Sequence, residues 1–142
     1  MRLIFVDRGT PACYAIRAMT ASRWPHVAVE VDGWVYEARA ATGVQRVGIV
    51  QAAQDAIDIG FAEVRCNDRL ARAFLEAQVG KPYDWTAIWT WYGSRDWQEP
   101  DAWFCFELAA AAAAFAGRPL VSTGLARVTG RHLWLSPEIV RE

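Results

Sequence analysis

The sequence predicts an α+β domain in which an antiparallel β-sheet, a meander or partial barrel, packs against helices. Three observations carry this. Residues 26–31 (His-Val-Ala-Val-Glu-Val) alternate with a period of two and run into Asp32-Gly33, a tight-turn pair, before a second apolar run at 34–38. Residues 109–114 are six consecutive alanines, with high helix propensity. Between them, Asn67-Asp68 opens and Gly80-Lys81-Pro82 closes a segment with helical spacing.

The elements follow in order. Residues 3–6 are apolar and end at Asp7-Arg8-Gly9, a first strand. Thr10-Pro11 reads as a loop, and 14–21 as one or two helical turns with Ile16 and Met19 on one face. The hairpin 26–31/34–38 comes next. With Asp32-Gly33 as its two loop residues, Val31 faces Trp34, Ala28 faces Glu37 and His26 faces Arg39, so His26 and Glu37 are diagonal neighbours on one face. A loop one residue longer would separate them. Residues 43–50 and 61–66 read as a third and a fourth strand. A helix from 67 or 68 stops near Gly80, residues 83–92 are aromatic, either helical or irregular, and 93–100 are a polar loop. The Ala-rich helix spans 102–116 and ends at Gly117 with Pro119 beyond. Ser136-Pro137-Glu138 reads as the N-cap and first turn of a short terminal helix.

A chain of 142 residues with 54% apolar content fits one domain over 1–142 with one core. Fifteen Lys and Arg nearly cancel sixteen Asp and Glu, which argues against a nucleic-acid footprint. The nine apolar residues 108–116 are too short to span a bilayer, and the N-terminus lacks a signal-peptide core, so no transmembrane segment and a cytoplasmic location are expected. Cys13, Cys66 and Cys105 are odd in number and widely spaced without a Cys-x-x-Cys, so reduced thiols are expected, with no metal and no cofactor. Five of the eight Trp (Trp85, Trp89, Trp91, Trp97, Trp103) cluster in one segment, as core or as a surface presenting flat apolar faces.

Cys105 lies near the start of the Ala-rich helix, where the dipole and unpaired N–H groups favour a thiolate; Asp101 and Glu107 oppose it. A histidine must supply the rest. His26, at a strand end, is the better base than His132 in the tail, although pairing of His132 with Cys105 stays open, and Glu37 is the candidate to orient the imidazole. Each residue also fits a plainer role: Cys105 as a small core side chain, His26 as structural, Glu37 as solvent-facing.

Four segments in order, Trp24-Pro25-His26-Val27-Ala28-Val29, Val35-Tyr36-Glu37-Ala38, Val79-Gly80-Lys81-Pro82-Tyr83-Asp84-Trp85 and Phe104-Cys105-Phe106-Glu107-Leu108, resemble the circularly permuted branch of the NlpC/P60 papain-like hydrolases. The resemblance implies a papain-like fold with Cys105 as nucleophile, His26 as general base and Glu37 as the orienting residue. It implies that Tyr83 lines the site, and the aromatic segment favours Tyr83, Trp85 and Trp103 as substrate-binding residues. Two departures are Phe106 where the family often has Ser after the nucleophile, and Pro25 where it often has Ser before the histidine. The expected function is a cysteine hydrolase, an amidase or peptidase acting on peptide or acyl-amide bonds such as those of peptidoglycan. The alternatives are an inactive binding or structural module of a phage or secretion assembly, and a lipid acyltransferase or deacylase on the same fold.

Overall fold

The computed structural model describes residues 1–86, 101–122, 124–125 and 128–142. Trp89, Trp91 and Trp97, and the expectations for 87–100, lie outside the described residues.

Six strands form one open antiparallel sheet: β1 (Arg2–Asp7), β2 (His26–Val31), β3 (Trp34–Arg39), β4 (Gly43–Val47), β5 (Asp58–Val64) and β6 (Ile139–Arg141). Their spatial order is β4-β3-β2-β1-β5-β6. The first four make the expected meander in reverse, and β5 then returns to the free edge of β1. Five helices are described: α1 (Pro11–Thr20), α2 (Ile49–Ala52), α3 (Asp68–Gln78), α4 (Cys105–Phe115) and α5 (Gly130–Trp134). The α+β class and the papain-like arrangement of an antiparallel sheet against a buried helix are as the sequence predicts.

Alternation sorts the strands into two faces. Leu3, Phe5, Val27, Val29, Tyr36 and Ala38 face α3 and α4 in the main core, while Ile4, Val6, Ala28, Val35 and Val47 form a second core with Ala52 of α2. Helix α4 has nine of its eleven residues buried, apolar all round as a central helix must be. Its alanines let it lie close to β2, β3 and α3.

The β2–β3 turn is as read. Asp32 and Gly33 both take positive φ (51° and 79°), the backbone that a two-residue hairpin of matching twist requires. Val31 pairs with Trp34. The ladder then runs only to Val29 opposite Tyr36, although β2 begins at His26 and β3 continues to Arg39. The expected pairings of Ala28 with Glu37 and His26 with Arg39 are not part of the ladder, because the two strands part at this end.

Other boundaries shift for local reasons. Helix α1 begins at Pro11, not in a loop: Thr10 caps it by accepting the Cys13 N–H, and Pro suits the first turn. The third strand stops at Val47, since Gly48 starts α2. The fourth begins early, at Asp58, after Ile57 N–H bonds Asp7 carbonyl. Helix α4 begins at Cys105, because Trp103 is taken by a parallel bridge to Tyr83. The terminal helix is displaced: Ser136 Oγ accepts Glu138 N–H in a local turn, the helix lies earlier at Gly130–Trp134, and the tail returns as β6. Gly130 is required there, since a Cβ would fall 2.6 Å from the Trp24 carbonyl and 2.8 Å from Ser22 Oγ.

Candidate active site

The site lies where β2 and β3 part. Val27 N–H, which a continued ladder would give to β3, is left at this opening, where it and the Phe106 N–H favour an anion on Cys105 Sγ. Helix α4 thus delivers its first side chain to the opening between two strands. His26 starts β2 one residue before Val27. Its Nε2 lies 2.8 Å from Glu37 Oε2 across the opening. Glu37 is fully buried, and its other oxygen, Oε1, accepts Gln45 Nε2 at 2.9 Å from β4. Arg39 Nη1 stands 3.9 Å from the same oxygen.

These contacts set the charges. Burial pushes the Glu37 carboxyl up, but the His26 hydrogen bond and charge, the Gln45 amide and the Arg39 charge outweigh it, and its pKa falls below the usual carboxylate value. An ionised Glu37 accepts the Nε2 proton of His26, which leaves Nδ1 as the ring nitrogen not engaged by the carboxylate. Cys105 departs from expectation. Its side chain is 2% exposed, and burial pushes the thiol up to about 12, against the two backbone N–H bonds that favour the anion; Glu107 and Glu37 add to the rise. The helix dipole does not win because a lone buried anion loses its hydration. Among the described residues no hydrogen bond joins Cys105 Sγ to the His26 ring. The thiol rests on backbone, one residue from its candidate base.

Tyr83 is buried, with its ring 5.3 Å from Trp85 and 5.8 Å from Phe104. Burial raises its pKa, and the nearby Cys105, Asp84 and Glu107 raise it further, so Tyr83 keeps its O–H near the start of α4. Trp85 is 53% exposed beside it. Trp103 points elsewhere: its indole N–H donates to Gln78 Oε1 at 3.0 Å and its ring meets Phe74 edge-on, both on α3. The structure therefore brings Tyr83 and Trp85 together and turns the Trp103 side chain toward α3.

His132 is not brought to Cys105. Its Nδ1 accepts Thr129 N–H at 3.1 Å while its own N–H returns to Thr129 Oγ1, a reciprocal cap on α5, and it faces a cleft of about 550 Å³ beside Leu120, Arg131 and Ser136.

Sequence reasoning missed three groups. Gln45 is paired with Glu37 in the β3–β4 register, a signal that strand counting from Gly43 could have found. Arg39 is the second. The third is the acid pair near the Cys105 thiol. Glu107 is 4% exposed with Oε2 unpartnered, and Asp84 is fully buried. Burial and the Asp84 charge push Glu107 up to about 7, against a hydrogen bond from the Phe104 backbone.

No family model and no curated protein matches the chain. Among solved structures it is similar to a crystal structure of the metalloprotein yiiX, DUF1105, from Escherichia coli O157:H7, with a TM-score of 0.78 and 17% identity over 99% of this chain and 94% of that one. That likeness shows the fold. It also corrects the family read from the sequence: a full-length structural match to a DUF1105 protein points to a family other than NlpC/P60.

Proposed function

We propose that the protein is a cysteine-dependent acyl hydrolase in which Cys105 is the nucleophile, His26 the general base and Glu37 the residue that orients the imidazole. The observation that supports this best is the buried Glu37, kept ionised by His26 and Gln45 at the opening where the Val27 N–H favours an anion on the Cys105 sulfur. A carboxylate carried into full burial is costly unless it does something for its partner. Here it fixes one tautomer and raises the stability of an imidazolium.

The raised thiol pKa constrains the chemistry. Loss of the proton to water leaves a lone buried anion. Transfer to His26 leaves a neutral ion pair beside an already ionised Glu37. The productive step is therefore concerted: Cys105 Sγ attacks the carbonyl as its proton passes to His26, after a side-chain rotation that brings the two together. The tetrahedral oxyanion takes the Cys105 N–H, which as the first helical residue has no intrahelical acceptor, and the Tyr83 O–H. His26 then protonates the leaving amine or alcohol, and water releases the acyl group.

Peptide amides, including those of peptidoglycan, and acyl lipids both suit this chemistry. The similar yiiX protein is described as a metalloprotein. Among the described residues no three His, Cys, Asp or Glu converge, and the proposal rests on Cys105, His26 and Glu37 alone. A second reading, an inactive binding module on the same scaffold, is favoured by the 2% exposure of Cys105. Iodoacetamide labelling of each cysteine against pH, in wild type and His26→Ala, separates the two. Labelling of Cys105 near neutral pH that is faster than at Cys13 and Cys66 and is lost in His26→Ala supports the hydrolase; labelling no faster than at those two supports the module.

A further inference from the structure

Several arginines on this surface are matched to carboxylates. Arg17 holds Asp7, Arg23 holds Asp58 and Arg46 holds Glu76, each at 2.8 Å. Two at the mouth of the site are not. Arg8 gives Nη2 to the Ala52 carbonyl at 2.6 Å and Nε to the Gln54 carbonyl at 3.3 Å, and among the described residues it forms no ion pair. Arg39 has only Glu37, at 3.9 Å, and that carboxylate is already held by His26 and Gln45.

The sheet brings the two together. Val6 pairs with His26, so Arg8 leaves β1 just beyond the level of the histidine, and Arg39 ends β3 on the other side of His26. Val6 and Val35 belong to the core on the α2 side; Glu37 and Arg39 follow Val35 in alternation, and Arg8 reaches α2 carbonyls on that same side. Arg39, after burial, is the chief influence lowering the Arg8 pKa, while Glu37, Cys13 and Asp55 oppose it, so the guanidiniums feel each other directly. Both side chains are partly buried. Two partly desolvated cations at one end and face of the sheet, sharing a Glu37 already held by His26 and Gln45, repel unless a further anion joins them. Among the described residues no hydrogen bond occupies Arg8 Nη1, and planar guanidiniums suit the paired oxygens of carboxylate and phosphate.

Building on the hydrolase reading, we infer that Arg8 and Arg39 form an anion subsite on the α2 side of His26 and Glu37, which takes a carboxylate or phosphate group of the acyl substrate. The scissile carbonyl lies at Cys105 and the anion on the α2 side of His26. Substrates of this class are acyl compounds with an acidic group near the labile bond, such as acidic peptides or phosphate-bearing acyl lipids.

The test compares two alkylating agents that differ in charge. The rate ratio of iodoacetate to iodoacetamide at Cys105, read by mass spectrometry, reports the local cations, while the iodoacetamide rate alone reports the nucleophile. Arg39→Gln should lower the ratio about 3-fold and Arg8→Gln/Arg39→Gln about 10-fold, the size expected for one and two charges near the reacting atom in a half-wet site. Arg39→Lys should retain it, Arg23→Gln should leave it unchanged, and salt should reduce it in wild type. An unchanged ratio in Arg39→Gln, with Cys105 still labelled rapidly by iodoacetamide, overturns the subsite alone. Slow iodoacetamide labelling in wild type, no faster than at Cys13 and Cys66, overturns the hydrolase reading and the subsite with it. Protection of wild-type Cys105 from iodoacetate by inorganic phosphate points to the phosphate class, protection by N-acetylglutamate to the carboxylate class, and protection by neither counts against the subsite. Because the wild-type measurements need no substitution, a double variant that fails to fold does not shelter the inference.

Discussion

Glu37 and Glu107 invite comparison, because both are buried glutamates within electrostatic reach of Cys105 and they are pushed in opposite directions. Burial penalises the charge on each. Glu37 sits among donors: the His26 ring, the Gln45 amide and the Arg39 guanidinium. Glu107 sits against the Asp84 carboxyl with one oxygen unpartnered. Burial sets the cost of the charge, and the neighbours decide whether it is met. The difference also separates the two sides of the Cys105 thiol. The strand opening keeps a permanent anion for an imidazolium, and the helix side holds an acid that is half neutral near pH 7.

The largest expected effects fall on the strand-opening side. Cys105→Ala should remove turnover of any acyl substrate by at least about 10³-fold, and Glu37→Gln should reduce kcat/KM by about 10²- to 10⁴-fold through loss of the imidazole's orientation. Glu37→Gln should also slow iodoacetamide labelling of Cys105 near neutral pH. Wild-type labelling in Glu37→Gln would mean that the carboxylate is structural and would remove the chemical half of the comparison.

The helix-side glutamate predicts stability rather than rate. Glu107 is raised to about 7 from an ordinary value near 4.5. Its contribution is fully present below the ordinary value and is lost as pH rises through 7, since the unfolded chain releases the proton first; the loss amounts to about 3 kcal/mol. Glu37 runs the other way. Its contribution is present above the ordinary carboxyl value and is lost as pH falls through its lowered folded value. Urea unfolding at pH 5 and pH 8 checks the first, and at pH 3 and pH 5 the second. Glu107→Gln should be more stable than wild type at pH 8 and close to it at pH 5, whereas Glu37→Gln should be less stable than wild type at pH 8. A wild-type pH slope retained in Glu107→Gln would show that another group titrates there.

Much of this is written locally in the chain. The Asp32-Gly33 turn fixes which residues of β2 and β3 lie opposite, and the register it sets is enough to bring His26 toward Glu37. Thr10 and Thr129 carry capping signals of the same local kind, yet each competes with a louder neighbour: Thr10-Pro11 also suits a loop, and Ser136-Pro137 also suits a helix start. What the sequence could not show is non-local. That Val27 N–H is left at the opening near Cys105 depends on two strands parting, and the rise of the thiol pKa depends on how completely α4 is enclosed. Along the chain Glu107 is only a charge near the helix start; burial, with the Asp84 charge nearby, raises it to about 7. The aromatic expectation divides for the same reason. Tyr83 and Trp103 share a bridge, yet Gln78 and Phe74 draw the Trp103 side chain to α3.

The smallest effect comes from the second histidine, and it sharpens what the first is for. His132 and Thr129 satisfy each other's N–H groups at the start of α5, a helix of five residues that has little else to hold its first turn. His132→Ala should lower unfolding stability by about 1 kcal/mol, the usual cost of a lost cap. It should leave iodoacetamide labelling of Cys105 as in wild type, because the ring is engaged at Thr129 and exposed away from the sulfur. His26→Ala should do the reverse. Its Nε2 partner is Glu37, so its removal strands a buried carboxylate and takes the proton acceptor from the thiol at once. Labelling of Cys105 that slows in His132→Ala and persists in His26→Ala would exchange the two roles and place the base on α5.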